Sequence, residues 1–539
     1  MNQTLINENE TTSSMACLLY RFPQALRWGL PSFLRESDAE HCDWRESAAR
    51  GDFSAGVVQY ALKEAYEIAG NSRQGLEVPD SVGELADFAE TVLEHQQIDN
   101  SPWNVLIAAV EIPAVLSEQF SDIPVVRRLL GSAAACLNDS AIKLFDEQGI
   151  IKARHFPWYA AILATWTRCY AAVGRKQLNL KLKKRFVNTY EWAVRQLLIF
   201  SNGNRGITSL SESHDIELPK DFISQLLKFG GDVSDRRLAS RLGYVQREFK
   251  KAVVDHYLPE ATAHSSSSQV AVLRTGWGPK RREVFVRFDK YDVFVQIRSC
   301  ETTLFEGNIA SSLWVEGNEA NPLGAWEEVC WESDEDADYL ELELGYAGGW
   351  KVQKQILLAK DDNLLLIGDA VIGKGEQTCV ALQNRYECGE NIRMFTAEDH
   401  NEGFVWSSDP VGMVMPLALP EWRNGTRNGH LTCDDGVMHY EVKADGVTGL
   451  YAPLLLVLHG KAGLKKYTWR QLTIAEELDV QPSDVASGYR IQIGKKQWLI
   501  YRSLTEYGNR TLLGQNYSSE FAFGEFLEDG TVYEYVEIE

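Results

Sequence analysis

The feature that most restricts this chain is a change of hydrophobic period near residue 260. Ahead of it, residues 81–95 (SVGELADFAETVLEH) place Val82, Leu85, Phe88, Ala89 and Val92 on one helix face, with Ser81 and Glu84 at capping-box spacing. Ser101-Pro102 suits a helix start, and the run NVLIAAVE continues it until Pro113 kinks or divides the helix. Further helices are expected near 124–146, 156–173, 178–200, 219–229 and 234–257. Their lengths and short connections fit helical hairpins packed side by side, as in part of an α/α toroid, a solenoid or a bundle.

Beyond residue 260 the pattern is that of strands. Residues 282–288 (REVFVRF) and 292–298 (DVFVQIR) flank a short Asp-Lys-Tyr turn, and DYLELEL at 338–344 alternates so that Leu340, Leu342 and Leu344 share a face. More strands are expected at 350–359, 363–372, 378–386, 437–443, 451–459, 489–493 and 496–502. Strand after strand without long helices between them argues for stacked antiparallel sheets. The fold expected is α+β and multidomain: a flexible start (1–20), helical hairpins resembling part of a toroid (21–260), a small polar linker (261–269) and a large antiparallel β-sandwich (270–539).

Charge and cysteine usage narrow the partners. The net charge of −22 argues against general nucleic-acid binding, which needs an excess of Lys and Arg. Within 141–264, however, Lys and Arg outnumber Asp and Glu 20 to 12, a local field suited to an acidic ligand. Lys181, Lys183, Lys184 and Arg185 in that block also read simply as the solvated face of a helix. No window holds 18 uninterrupted apolar residues, and residues 1–14 lack the pattern of a secretory signal. Nine scattered cysteines without a C-x-x-C read as reduced thiols, so a cytoplasmic location without membrane attachment is expected.

Several stretches resemble the heparinase II/III-like polysaccharide lyases. Ser267-Ser-Gln-Val-Ala-Val-Leu-Arg274-Thr-Gly-Trp277-Gly is similar to the start of that family's β domain. Residues 350–369, running into Asp369-Ala-Val-Ile-Gly373, resemble its strand pair and D-x-V-x-G turn, and Thr468-Trp-Arg-Gln-Leu-Thr473 is similar as well. The likeness spans roughly residues 140–500. It implies helices followed by a β-sandwich, an acidic polysaccharide or oligosaccharide as partner, and β-elimination as chemistry. The family's helical pattern D-G-S-x-x-E-x-S-x-x-Y-H falls on Glu147 to Tyr159. Aligned on Gly149, Ala153 replaces the acidic residue, and Trp158 and Tyr159 occupy the Tyr and His positions. A one-position shift restores Tyr159 to the Tyr. Where the family carries a histidine in its β domain, residues 298–307 (RSCETTLFEG) have none. The chain therefore reads as a divergent member whose Tyr/His centre is not retained, with a catalytically inactive scaffold or protein-binding relative as the alternative.

Elimination from a uronate needs a base for the C5 proton and a partner that neutralises the carboxylate. His155 and Tyr159, four apart and beside Lys152 and Arg154, would share a face if the segment is helical despite Pro157; packing of Trp158 and Tyr159 in the core is the plainer reading. His214, between Glu212 and Asp215, is a second candidate contact. Trp406, Trp422, Arg423 and Arg427 fall in a stretch poor in strand pattern, 404–430, and offer aromatic faces and cations to a sugar acid. No cofactor is expected. The alternative of a divalent metal on His430, Cys433, Asp434, His439 and His459 has suitable donors but no recognised zinc spacing.

Overall fold

The computed structural model describes residues 43–71, 80–96, 100–174, 182–201, 218, 220–246 and 258–539, apart from 376, 424–427 and 507. The chain divides into two compact units, Met1–Pro259 and Glu260–Glu539. The expected flexible start, Lys181, His214, Arg427 and the 247–257 part of the last expected helix lie outside the described residues.

In the first unit the helices form where apolar spacing places them. Ser81–His95 buries Val82, Leu85, Phe88, Ala89 and Val92 on one face. Its start differs from the expected capping box: Asp80 precedes the helix without a side-chain cap, and the Ser81 hydroxyl bonds Glu64 instead. Around Pro113 the helix divides through a π turn, Ile107–Glu111, before continuing as Ile112–Phe120. That turn puts Glu111 in the core, where it meets Arg168 at 2.6 Å and accepts from Tyr66. Trp44–Ala49, Ala55–Asn71 and Pro102–Leu106 lie earlier in the unit, and Pro124–Lys143, Tyr159–Gly174, Lys184–Ile199, Lys220–Gly230 and Val233–Arg241 are its later α-helices.

In the second unit every described strand pairing is antiparallel, and three sheets stack. A ten-stranded sheet begins with Ala263–Ser265 and Val270–Arg274. An eight-stranded sheet runs from Arg393–Thr396 through Gly449–Val457, Leu364–Ile372 and Trp350–Ala359 to Pro322–Ser333. A five-stranded sheet begins with Tyr467–Leu472. A small four-stranded sheet, which includes Arg510–Leu512, packs on the five-stranded one, where Leu512 and Tyr517 meet Tyr501 and Ala522. Leu340, Leu342 and Leu344 face the ten-stranded sheet in one core, while Tyr339 faces Trp469, Ile491 and Ile500 in another. The middle sheet is thus covered on both faces, which is why Leu364–Ile372 is almost wholly buried and reads as a continuous apolar run. The acidic face of DYLELEL meets the third layer: Glu341 pairs with buried Arg502 at 2.9 Å.

Two expectations are corrected. Residues 261–269 are no linker: Ala263–Ser265 pairs with Val270–Val272, and the small polar residues make the turn, where Ser268 N donates to Ser265 Oγ. The stretch 404–430 contains strands Gly403–Trp406, Pro410–Pro416 and Gly429–Asp434, whose apolar pattern is broken by Pro and Gly.

Candidate functional site

The helical candidates separate from one another. Asp146 Oδ1 accepts from the amides of Gln148 and Ile150, closing a turn in which Gly149 has φ +72°. A side chain at Gly149 would strike Trp192 and Ala193, so the turn lies tight against the helix Lys184–Ile199. Ala153–Trp158 is a 3-10 turn containing Pro157, and the α-helix begins only at Tyr159. His155 and Tyr159 therefore do not share the α-helical face on which their pairing depended. Tyr159 is fully buried between Phe145 and Phe156, and its hydroxyl donates to Ala193 O at 2.7 Å. Burial, helped by Asp146, drives its ionisation well above the ordinary phenol value. In this position it is a packing residue, with neither the access nor the charge state of a base. His155 is buried too and accepts from Arg154 Nε at 3.2 Å, while Arg154 and Trp158 face outward, Trp158 stacking on Trp103. Lys152 is half-buried just ahead of the turn.

The metal-ligand candidates do not converge: among the described residues no three His, Cys, Asp or Glu side chains are grouped for an ion. His430, Cys433 and Asp434 are spread along Gly429–Asp434, and His439 lies across from Thr432. Cys433 instead hydrogen-bonds Cys388. His459 follows a different strand, and burial together with Lys465 and Arg282 lowers its pKa below the usual histidine range.

The β unit does assemble a polar centre, around two of the expected residues. The hairpin loop 397–402 and the segment 417–423 are zipped together by backbone bonds from Asn401 N to Glu421 O (3.1 Å) and from Arg423 N to Asp399 O (2.9 Å). Arg423 Nε donates to His400 O at 2.7 Å, and Trp422, 53% exposed, packs its ring 4.0 Å from that of His400. At the heart of this cluster is Glu402, 2% exposed. Its Oε1 accepts from the Tyr467 hydroxyl at 2.9 Å and lies 3.4 Å from His400 Nδ1. Its Oε2 is buried with no hydrogen-bond partner among the described residues. Burial first, then the Glu402 and Glu421 carboxylates, hold Tyr467 in its protonated form well above the ordinary phenol range. Glu421 accepts from Thr468 at 2.7 Å, and Trp469 Nε1 ties the same strand to Leu419 O at 2.9 Å.

His400 Nδ1 stands close to the carboxylate on a ring that is partly exposed, so the imidazole is placed to exchange a proton with a ligand. The Tyr467 phenol on the same carboxylate gives its one O–H to Glu402, and it can serve a ligand as a donor only by turning that O–H away. Trp406, 39% exposed, is three residues along its strand from Gly403, on the order of 10 Å away at about 3.3 Å per residue, and belongs to the edge of this region rather than to its centre. Trp422 and Arg423 were legible from sequence, whereas His400, Glu402 and Tyr467 were missed. The signal for the first two was the polar run Ala-Glu-Asp-His-Asn-Glu-Gly at 397–403, set between apolar segments.

Neither a family model nor a curated protein matches this sequence. Solved structures do. The heparan sulfate lyase HepC from Pedobacter heparinus superposes with a TM-score of 0.57 at 14% identity, over 86% of this chain and 82% of that one. A heparinase III structure gives a TM-score of 0.62 at 12% identity, over 90% of this chain and 83% of its own. The heparinase III-BT4657 gene product with methylated lysines gives 0.61 at 11% identity, over 92% and 82%. At such identities the likeness is one of fold: this chain is built, like these heparin and heparan sulfate lyases, from a helical part followed by stacked antiparallel sheets.

Proposed function

We propose that this protein binds an acidic, uronate-containing polysaccharide or oligosaccharide and that its β unit carries an elimination centre made of His400, Tyr467 and Glu402. The observation that carries the reading is that one buried carboxylate accepts from a phenol and lies 3.4 Å from a histidine ring nitrogen. The fold shared with lyases that act on heparan sulfate supports the substrate class. In the proposed step His400 Nε2 takes the C5 proton, the C4–C5 double bond forms, and the C4–O bond breaks as Tyr467, its O–H swung from Glu402 to the substrate, protonates the leaving oxygen. Arg423, anchored by Nε to His400 O and by one terminal nitrogen to Leu431 O at 3.4 Å, offers its remaining N–H donors to the uronate carboxylate. Glu402 touches both proton-transfer groups and gives the proton a route back from His400 to Tyr467.

The test is a screen of heparin, alginate, pectin and ulvan for ultraviolet absorbance of the unsaturated product. Turnover of at least one glycan is expected, with His400→Gln and Tyr467→Phe each lowering kcat/KM by roughly 10²–10⁴-fold. A second reading, binding without elimination, is favoured by the burial of Tyr159 and by the histidine-free stretch 298–307. It is met by binding to these glycans with no absorbance change. Absence of both binding and turnover would sink both readings.

A further inference from the structure

A cavity of about 340 Å³ opens in the helical unit beside the helix Lys184–Ile199, at the junction of Lys220–Gly230 with Val233–Arg241. That volume lies in the ordinary range for small-ligand sites, about 300–1,000 Å³. Its wall includes Glu191, Trp192, Arg195, Phe229, Asp232 and Asp235. While Tyr190, Ala193, Val194 and Leu197 bury the core face of the same helix, Trp192 is left 43% exposed. The Gly149 turn presses on the backbone and Cβ of Trp192, fixing the base of the indole. The Arg195 guanidinium lies 4.9 Å from the indole centroid and is pinned by Asp235 at 2.7 Å and Asp232 at 2.5 Å.

The two aspartates are fixed in their turn. Each accepts from the other's backbone amide in a reciprocal capping box at the start of Val233–Arg241. Every one of their four oxygens thus takes one protein donor; Asp235 is buried, and exposed Asp232 keeps acceptor capacity for a ligand. Arg195 spends two of its five N–H donors on them. The result is an indole with one face covered by Arg195 and the other left for a ligand, beside oriented acceptors, the pairing that a polyhydroxylated ring requires. Charge selects among such rings. Three carboxylates line the cavity against one guanidinium, and they stay in excess even when Lys228, 5.9 Å from the Phe229 ring, is counted at the rim. This is a negative spot in the most basic part of the chain, and it repels a uronate.

We propose that this cavity binds an uncharged pyranose ring, stacked on Trp192 and held by hydroxyl bonds to the exposed carboxylates of Glu191 and Asp232. The site is independent of the elimination centre, and the two can fail separately. Saturation-transfer NMR on the full-length protein with maltotriose, the N-acetylglucosamine trisaccharide and trigalacturonate tests it. At least one neutral trisaccharide is expected to bind, to weaken tenfold or more in Trp192→Ala, and to be unaffected in Trp158→Ala, with unchanged melting temperatures as the control for folding. The proposal is overturned if neither neutral sugar binds, if Trp192→Ala binds as the parent does, or if trigalacturonate is the ligand whose binding depends on Trp192.

Discussion

The turn at 149–159 and the zipped loops at 397–423 draw on the same residue types, a histidine, tryptophan and arginine with a tyrosine close by, and put them to opposite uses. In the first, the tyrosine and histidine point into a helical core, and the phenol is satisfied by a backbone carbonyl. In the second, the histidine and tyrosine stand at sheet ends around one carboxylate, with the tryptophan outside them. Residue type therefore decides little here. Whether the polar atom finds its partner in the backbone or in another ionisable side chain decides whether it stabilises the fold or is available for chemistry.

The largest expected effect lies on the packing side. Tyr159→Ala removes a wholly buried aromatic and is expected to cost about 3–5 kcal/mol of stability, measured by urea unfolding of the full chain. A loss under about 1 kcal/mol would place Tyr159 in a yielding environment and break the contrast. On the other side, His400→Gln is expected to leave stability within about 0.5 kcal/mol while abolishing most glycan turnover, because His400 is partly exposed and its backbone carbonyl remains for Arg423.

Alkaline titration sharpens the same contrast. Burial holds Tyr66, Tyr159 and Tyr386 above their ordinary pKa of 10.0. Above pH 10 the unfolded chain sheds protons that the folded chain keeps, so stability is intact below that pH and falls as pH rises through it. Tyr159→Phe should make this decline shallower, since it removes one of the linked phenols. The pKa of Tyr467 is raised as well, by burial and then by Glu402 and Glu421, but it is partly exposed and solvent screens those carboxylates, so Tyr467→Phe should flatten the decline over a narrower span of pH. Equal flattening by both variants would mean that the two phenols are equally sequestered.

How much of this was legible in sequence follows from which interactions are local. The helix face of 81–95 and the alternation of DYLELEL depend on neighbours a few residues away, and both are as expected. The third sheet was invisible because Glu341, which reads as solvent-facing, is satisfied by Arg502 from far along the chain. Pro410, Gly412 and Pro416 disguised a strand that pairs correctly despite them. The polar centre was half legible. Trp422 and Arg423 stand out by type, whereas the carboxylate that organises them needs Tyr467, 65 residues beyond Glu402, to be recognised. Tyr159 misled because Pro157 turns the chain through a 3-10 segment, and spacing alone does not reveal that the α-helix starts two residues later.

The smallest expected effects separate two tryptophans that sequence reasoning treated alike. Trp422 packs at a steep tilt against His400 and is exposed beside the proton-transfer pair, so it is placed to lie along a bound sugar. Trp422→Ala should weaken glycan binding by about 1–1.5 kcal/mol, roughly tenfold. Trp406 is exposed to a similar degree but lies further along its strand, where Arg393 is its cross-strand neighbour. Its replacement by alanine should change affinity by no more than about threefold, the level of a surface substitution away from a site. Isothermal titration of the two variants against whichever glycan binds the parent distinguishes them. If Trp406→Ala is the more damaging, the ligand runs along the strand edge, and His400 lies at the end of the binding surface rather than at its centre.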